Sequence, residues 1–144
     1  MNKIAIGCDH AGFELKELFK SYFGSQFTFI DKGTFSMDSV DYPDFAHQVA
    51  VEVENQQVDF GVLICGSANG VAITANKHEK IRAAIAWLPE IAALAKQHNN
   101  ANILCIPARF VSSALAFDIF NAYLSASFEG GRHQNRIDKI SIGY

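Results

Sequence analysis

The sequence predicts an α/β protein built on a five-stranded parallel sheet. Three observations predict it. Short apolar runs alternate five times with stretches of helical period. The central run, Phe60-Gly61-Val62-Leu63-Ile64, is apolar throughout, as in a strand buried on both faces. Polar candidates follow the runs, where parallel sheets bind ligands outside the carboxyl ends of their strands. With right-handed crossovers this gives a single-domain, three-layer, Rossmann-like fold, helices covering both faces of the sheet.

Lys3 to Cys8 reads as the first strand and Asp9-His10-Ala11-Gly12 as the turn after it. Phe13, Leu15, Leu18, Phe19 and Tyr22 carry a helical period that Gly24 ends. Phe27 to Ile30 is the second strand. Asp31 to Pro43 reads as a long, exposed polar loop. Tyr42, just before Pro43, is expected in extended backbone, lining a pocket or merely packing. Asp44 is expected to cap a helix in which Phe45, Val49 and Val53 face inward. The central strand ends at Cys65, and the small residues Gly66-Ser67-Ala68-Asn69-Gly70 lead into a short helix over Val71 to Lys77. Ile81 to Trp87 is the fourth strand. Pro89 starts a helix through about Gln97, closed by His98-Asn99-Asn100. Asn102 to Ile106 is the fifth strand and Ser112 to Leu124 a long apolar-faced helix. No repeat, linker or low-complexity stretch divides residues 1–144, which read as one domain.

The totals bound the function. Of 144 residues 49% are hydrophobic and 19% charged, enough for a core without disulfides or metal. A net charge of −3 argues against a general nucleic-acid or acidic-membrane binder. The chain starts straight into a strand, with no signal peptide and no apolar run long enough to span a bilayer, so a cytoplasmic protein is expected. Cys8, Cys65 and Cys105 each end or adjoin an apolar run, which fits reduced, buried thiols.

The stretch from Val58 to Lys77 carries most of the chemistry. Strand, small-residue loop and helix are how α/β folds aim backbone N–H groups at one anion. Cys65 at the loop's edge is expected to have a lowered pKa and be available as thiolate; the competing reading is a buried structural cysteine before an ordinary turn. His10 after Asp9 suits a phosphate ligand or proton carrier, or is a solvated turn residue. His98 closes a helix, where the dipole alone favours it. Arg132 and Arg136 lie one helical turn apart, fit to grip a phosphate or to form a solvated basic patch. Arg109 follows the fifth strand. The dinucleotide fingerprint is absent after the first strand, Gly70 is not followed by Lys-Ser/Thr, and Val71 stands where a Cys-x5-Arg phosphatase needs Arg. Cys8, His10, Cys65 and His98 have no zinc-type spacing, so no metal is expected.

GCDHAGFELK, DKGTFS, DYPDFA, VDFGVLICGSANGVAITANK, IRAAIAW, QHNNANIL and EGGRHQNRI occur in one order over nearly the whole chain. Together they resemble the RpiB/LacAB family of sugar-phosphate isomerases. The resemblance implies interconversion of D-ribose 5-phosphate and D-ribulose 5-phosphate, a pentose phosphate step, through a cis-enediolate. By matching position, Cys65 is the base that moves the proton between C2 and C1, and Ser67 assists. Gly66, Ala68, Asn69 and Gly70 hold the substrate from the loop. His98, with Asp9 near it, opens the furanose ring. His10, Arg109, Arg132 and Arg136 hold the phosphate, and Tyr42 and Asn99 line the sugar. No cofactor or metal is implied, and the partner is a second copy, in a homodimer or dimer of dimers with sites shared across the interface. Ala68 stands where the family has Gly, which costs something if φ is positive there, and Asn100 where it has Asp. A six-carbon aldose 6-phosphate such as allose or galactose 6-phosphate, or sugar-phosphate binding without catalysis, are the alternatives.

Overall fold

The computed structural model describes residues 2–142. Five strands form one parallel sheet: β1 (Asn2–Cys8), β2 (Phe27–Asp31), β3 (Phe60–Cys65), β4 (Ala83–Ile85) and β5 (Ile103–Pro107), in the order β2-β1-β3-β5-β4. The helices are α1 (Phe13–Phe23), α2 (Tyr42–Glu54), α3 (Asn69–Ala75), α4 (Pro89–Asn99), α5 (Ser113–Ser125) and α6 (Arg132–Asp138).

Strand alternation divides the core in two. Ile4, Ile6, Cys8, Val62, Ile64, Leu104 and Ile106 face α1, α4 and α5. There Phe19, Phe23 and Phe120 pack with ring centroids 4.7–5.6 Å apart. Ala5, Leu63, Cys65, Ile103 and Cys105 face α2 and α3. Central β3 is buried along its whole length, which is why its sequence is apolar without alternation.

Several boundaries differ from expectation. α2 starts at Tyr42, with Asp41 at the N-cap position making no side-chain cap bond; Asp44 lies within the first turn. Pro43 fits there because an N–H is not needed in the first helical turn, and Tyr42 is thereby helical rather than extended. β4 is confined to three residues, Ala83–Ile85, paired with β5 at the edge of the sheet. α3 begins two residues earlier than expected, at Asn69. The loop after β2 is not wholly exposed. Gly33 and Thr34 are buried and continue the ladder, Cys8 N–H donating to the Gly33 carbonyl at 2.7 Å and Thr34 N–H to the Cys8 carbonyl at 2.8 Å.

That loop is anchored by a buried ion pair. Lys16 has no solvent exposure and its Nζ donates to both Asp31 carboxylate oxygens at 2.6 and 2.7 Å. Burial pushes the Asp31 carboxyl up, but bonds from Lys16, Lys20 and the Gly33 N–H outweigh it and leave the carboxyl below its ordinary range. Lys20 also bonds Asp31 at 2.6 Å and Glu17 lies 3.3 Å from Lys16, so the pair belongs to a small charge network.

Candidate active site

β3 delivers Cys65 to the carboxyl edge of the sheet, where the chain turns sharply into α3. The turn passes through Ala68 at φ +64°, ψ −6°. This is left-handed backbone, which in a residue bearing a Cβ costs roughly 1 kcal/mol. The Ala68 methyl is fully buried.

The loop turns back beside the Cys65 sulfur. The backbone N–H groups of Val71, Ala68 and Ser67 act on it so as to favour its anion. The expectation of a lowered thiol pKa is nevertheless overturned. Cys65 is 4% exposed, and burial pushes its pKa above the ordinary value; the Val71 N–H pulls it down, nearby Asp9 pushes it up, and the Ala68 and Ser67 N–H groups pull less. Three backbone dipoles do not replace the water that burial removes. The resting thiol is protonated in a pocket whose donors favour an anion.

Around this loop stand several of the expected residues. Asp9 is buried, its carboxylate accepting from the Gly12 N–H at 3.1 Å, while its own N–H donates to the Ile64 carbonyl. His10 Nδ1 accepts from the Val40 N–H at 3.3 Å, pinning the long loop over the first turn. Ser67 is exposed, and its hydroxyl oxygen accepts from the Asn69 N–H at 3.3 Å. Arg109 N–H donates to the Gly66 carbonyl at 3.1 Å, and its side chain lies so close that a Cβ on Gly66 would sit 3.1 Å from Nη1. The Tyr42 ring covers Gly70, where a Cβ would fall 2.5 Å from Cζ. Glycine at 70 is therefore required by the ring above it.

A second group lies elsewhere. α4 carries His98 and Asn99 to the amino end of β5, across the sheet from Cys65. They meet the C-terminal helix there, and His98, Asn99, His133 and Arg136 line one cavity of about 390 Å³. Arg132 and Arg136 are both exposed on α6, one turn apart. Within one chain Asp9 and His98 therefore lie at opposite ends of the sheet.

Two residues of this group were not singled out from the sequence as functional. His133 stacks on His98, and Glu129 lies against both. Their one signal is the tail EGGRH, in which His133 reads only as the residue between two arginines. Among the described residues His98, Glu129 and His133 are also the one trio of donors close enough to share a metal ion. Their imidazole planes are nearly parallel, at 12°. The ring lone pairs thus run side by side rather than converging on one ion.

The model of the Ribose/Galactose Isomerase family matches residues 4–140. The chain belongs to this family. Ribose-5-phosphate isomerase B of Escherichia coli is 46% identical over 142 residues, covering 98% of this chain and 95% of that protein. The crystal structure of a ribose 5-phosphate isomerase from Thermotoga maritima is 49% identical and superimposes with a TM-score of 0.95, covering 97% of both chains. The Mycoplasma genitalium ribose-5-phosphate isomerase B, solved with bound ribulose-5-phosphate, is 45% identical with a TM-score of 0.92, covering 96% of this chain and 93% of that one. The fold expected from the sequence is the fold of this family. No helix among the described residues is long and apolar enough to cross a membrane.

Proposed function

We propose that this chain is an aldose–ketose isomerase that interconverts D-ribose 5-phosphate and D-ribulose 5-phosphate in the cytoplasm, using no cofactor or metal. The observation that carries the reading is the buried Cys65 sulfur at the carboxyl end of β3, where the chain turns through Ala68 into α3 and backbone N–H groups favour an anion. A base there removes the C2 proton of the open-chain aldose, and the charge moves to O1 as C1 and C2 become doubly bonded. Donors fixed at the site stabilise that oxygen without reorganising. The Ser67 hydroxyl relays a proton between O1 and O2. Protonated Cys65 returns its proton to C1, leaving a C2 ketone. The raised thiol pKa makes the thiolate a minor form in the free enzyme, and the backbone N–H groups beside Sγ favour it once it forms.

Ring opening requires a proton for the ring oxygen and removal of one from O1, and His98 and Asp9 supply these roles. They lie at opposite ends of one chain, so the complete site combines Cys65 and Asp9 of one subunit with His98 of the partner subunit. An exposed apolar face beside the loop supports this homodimer. Trp87, Leu88 and Phe110, 50%, 44% and 74% exposed, adjoin Ser67 and Asn69. A second copy would bury them. Arg109, Arg132 and Arg136 supply the cations for the phosphate and His10 a further contact to it, and Tyr42, Asn69 and Asn99 line the sugar.

The test is turnover by the purified protein, offered ribose 5-phosphate, allose 6-phosphate and galactose 6-phosphate side by side, with and without a chelator. Fast, chelator-insensitive conversion of ribose 5-phosphate alone is expected. Preference for a six-carbon substrate would move the reading to that sugar. Binding of all three with no conversion would make this a sugar-phosphate-binding protein.

A further inference from the structure

We propose that His133 and Glu129 are positioning residues that hold the His98 imidazole in the orientation needed to open the furanose ring. The inference rests on the reading of His98 as the ring-opening proton carrier. His98 sits in the last turn of α4, its side chain 39% exposed. Nothing on its own helix fixes the plane of the ring. His133 supplies that plane. It is only 8% exposed, in the first turn of α6, and its ring lies 4.2 Å from that of His98 at an interplanar angle of 12°. A buried imidazole cannot swing, so the exposed ring stacked on it loses its freedom about χ2.

Glu129 ties the pair to the scaffold. Its Oε2 lies 3.4 Å from His133 Nε2 and 3.7 Å from His98 Nε2, so one carboxylate oxygen faces the same nitrogen of both rings. Its backbone N–H donates to the Gln97 carbonyl at 3.0 Å, which fastens the tail to α4 one residue before His98. The carboxylate therefore sits against the Nε2 edge of both rings and fixes which way the His98 ring faces. In the step His98 serves, a proton passes to the ring oxygen as the bond from C1 to that oxygen breaks. A base at the C1 hydroxyl takes its proton and C1 becomes the aldehyde carbon, which balances the step. Misplacing a catalytic group by an ångström can cost about a hundredfold, so the clamp is worth measuring.

The experiment separates ring opening from isomerisation by choice of substrate. Ribose 5-phosphate is mostly a closed furanose. 4-Deoxyribose 5-phosphate lacks the hydroxyl that closes that ring and enters as the open aldehyde. His133→Ala and Glu129→Gln should each lower kcat on ribose 5-phosphate about tenfold and leave kcat on the deoxy substrate within about twofold. His133→Phe, which restores a flat ring for stacking, should regain part of the loss. Equal losses on both substrates, or no loss on either, would overturn the proposal while leaving His98 in its role, provided His98→Ala still loses ribose 5-phosphate turnover selectively. If His98→Ala slows both substrates equally, the ring-opening role of His98 itself falls, and the clamp with it.

Discussion

At the carboxyl end of β3 the polar surroundings of Cys65 come from the backbone: N–H groups of Ser67, Ala68 and Val71 facing a buried sulfur. At the end of α4 the surroundings come from side chains, His98, Glu129, His133 and Arg136, drawn from a helix end and a tail some thirty residues apart. The first half is dry and fixed by a tight turn; the second is wetter and fixed by stacking and charge. Backbone donors cannot swing away, so they suit the short-lived charge of an enediolate. A His side chain can pass a proton and an Arg side chain holds a fixed charge, so they suit the ring opening and phosphate capture proposed for them.

The difference can be broken one half at a time. Cys65→Ala should lower kcat by about a thousandfold with substrate still bound, since a general base contributes 10² to 10⁴; near-normal turnover would remove the base assignment. The two halves can also be put on different chains. Cys65→Ala and His98→Ala proteins, each weak alone, should regain about a quarter of wild-type activity when unfolded and refolded together, because each mixed dimer holds one intact site. No recovery would place both groups in one chain's site.

Smaller effects sharpen the contrast. Arg136→Ala should raise KM about tenfold with kcat little changed, the loss of one charge-assisted contact; an unmoved KM would take Arg136 out of the phosphate site. The pH profile of kcat/KM reports the other half. The Cys65 pKa is raised by burial, so in the free enzyme the thiolate fraction grows as pH rises. The rate should climb toward alkaline pH, with its inflection above the ordinary thiol value, and a flat profile would exclude thiolate control. Smallest of all, Ala68→Gly relieves the left-handed alanine but gives up a buried methyl worth about 0.8 kcal/mol, so Tm should move by less than about 2 °C, and a larger shift either way would show which effect dominates.

The same contrast decides what the sequence could reveal. The parallel sheet and the Cys65 loop were legible because each follows from local pattern: an apolar run, small residues, then helical period. The positive φ at Ala68 was legible as a conflict between residue type and position. The thiol's pKa was misread because a loop of N–H groups is local, whereas burial is set by α2, α3 and β5 packing from elsewhere in the chain. The stacking of His133 on His98 was hidden for a similar reason, since it depends on how the tail folds back onto α4. Helix α2 was misplaced because Asp44 and Asp41 are both acceptable near a helix start, and Pro43 selects the earlier register.

The burial of Cys65 also bears on chemical endurance. Peroxides and disulfides react with thiolates, and a shielded sulfur that keeps its proton at rest offers them little to attack. Cys8 is pushed up to about 12, and Cys105 is fully buried and pushed up as well. All three thiols are thus slow targets, and Cys65, in the base role proposed for it, would meet oxidant as thiolate only in the brief intervals when it has given up its proton. An isomerase built this way keeps a nucleophilic atom at its centre without becoming a redox sensor.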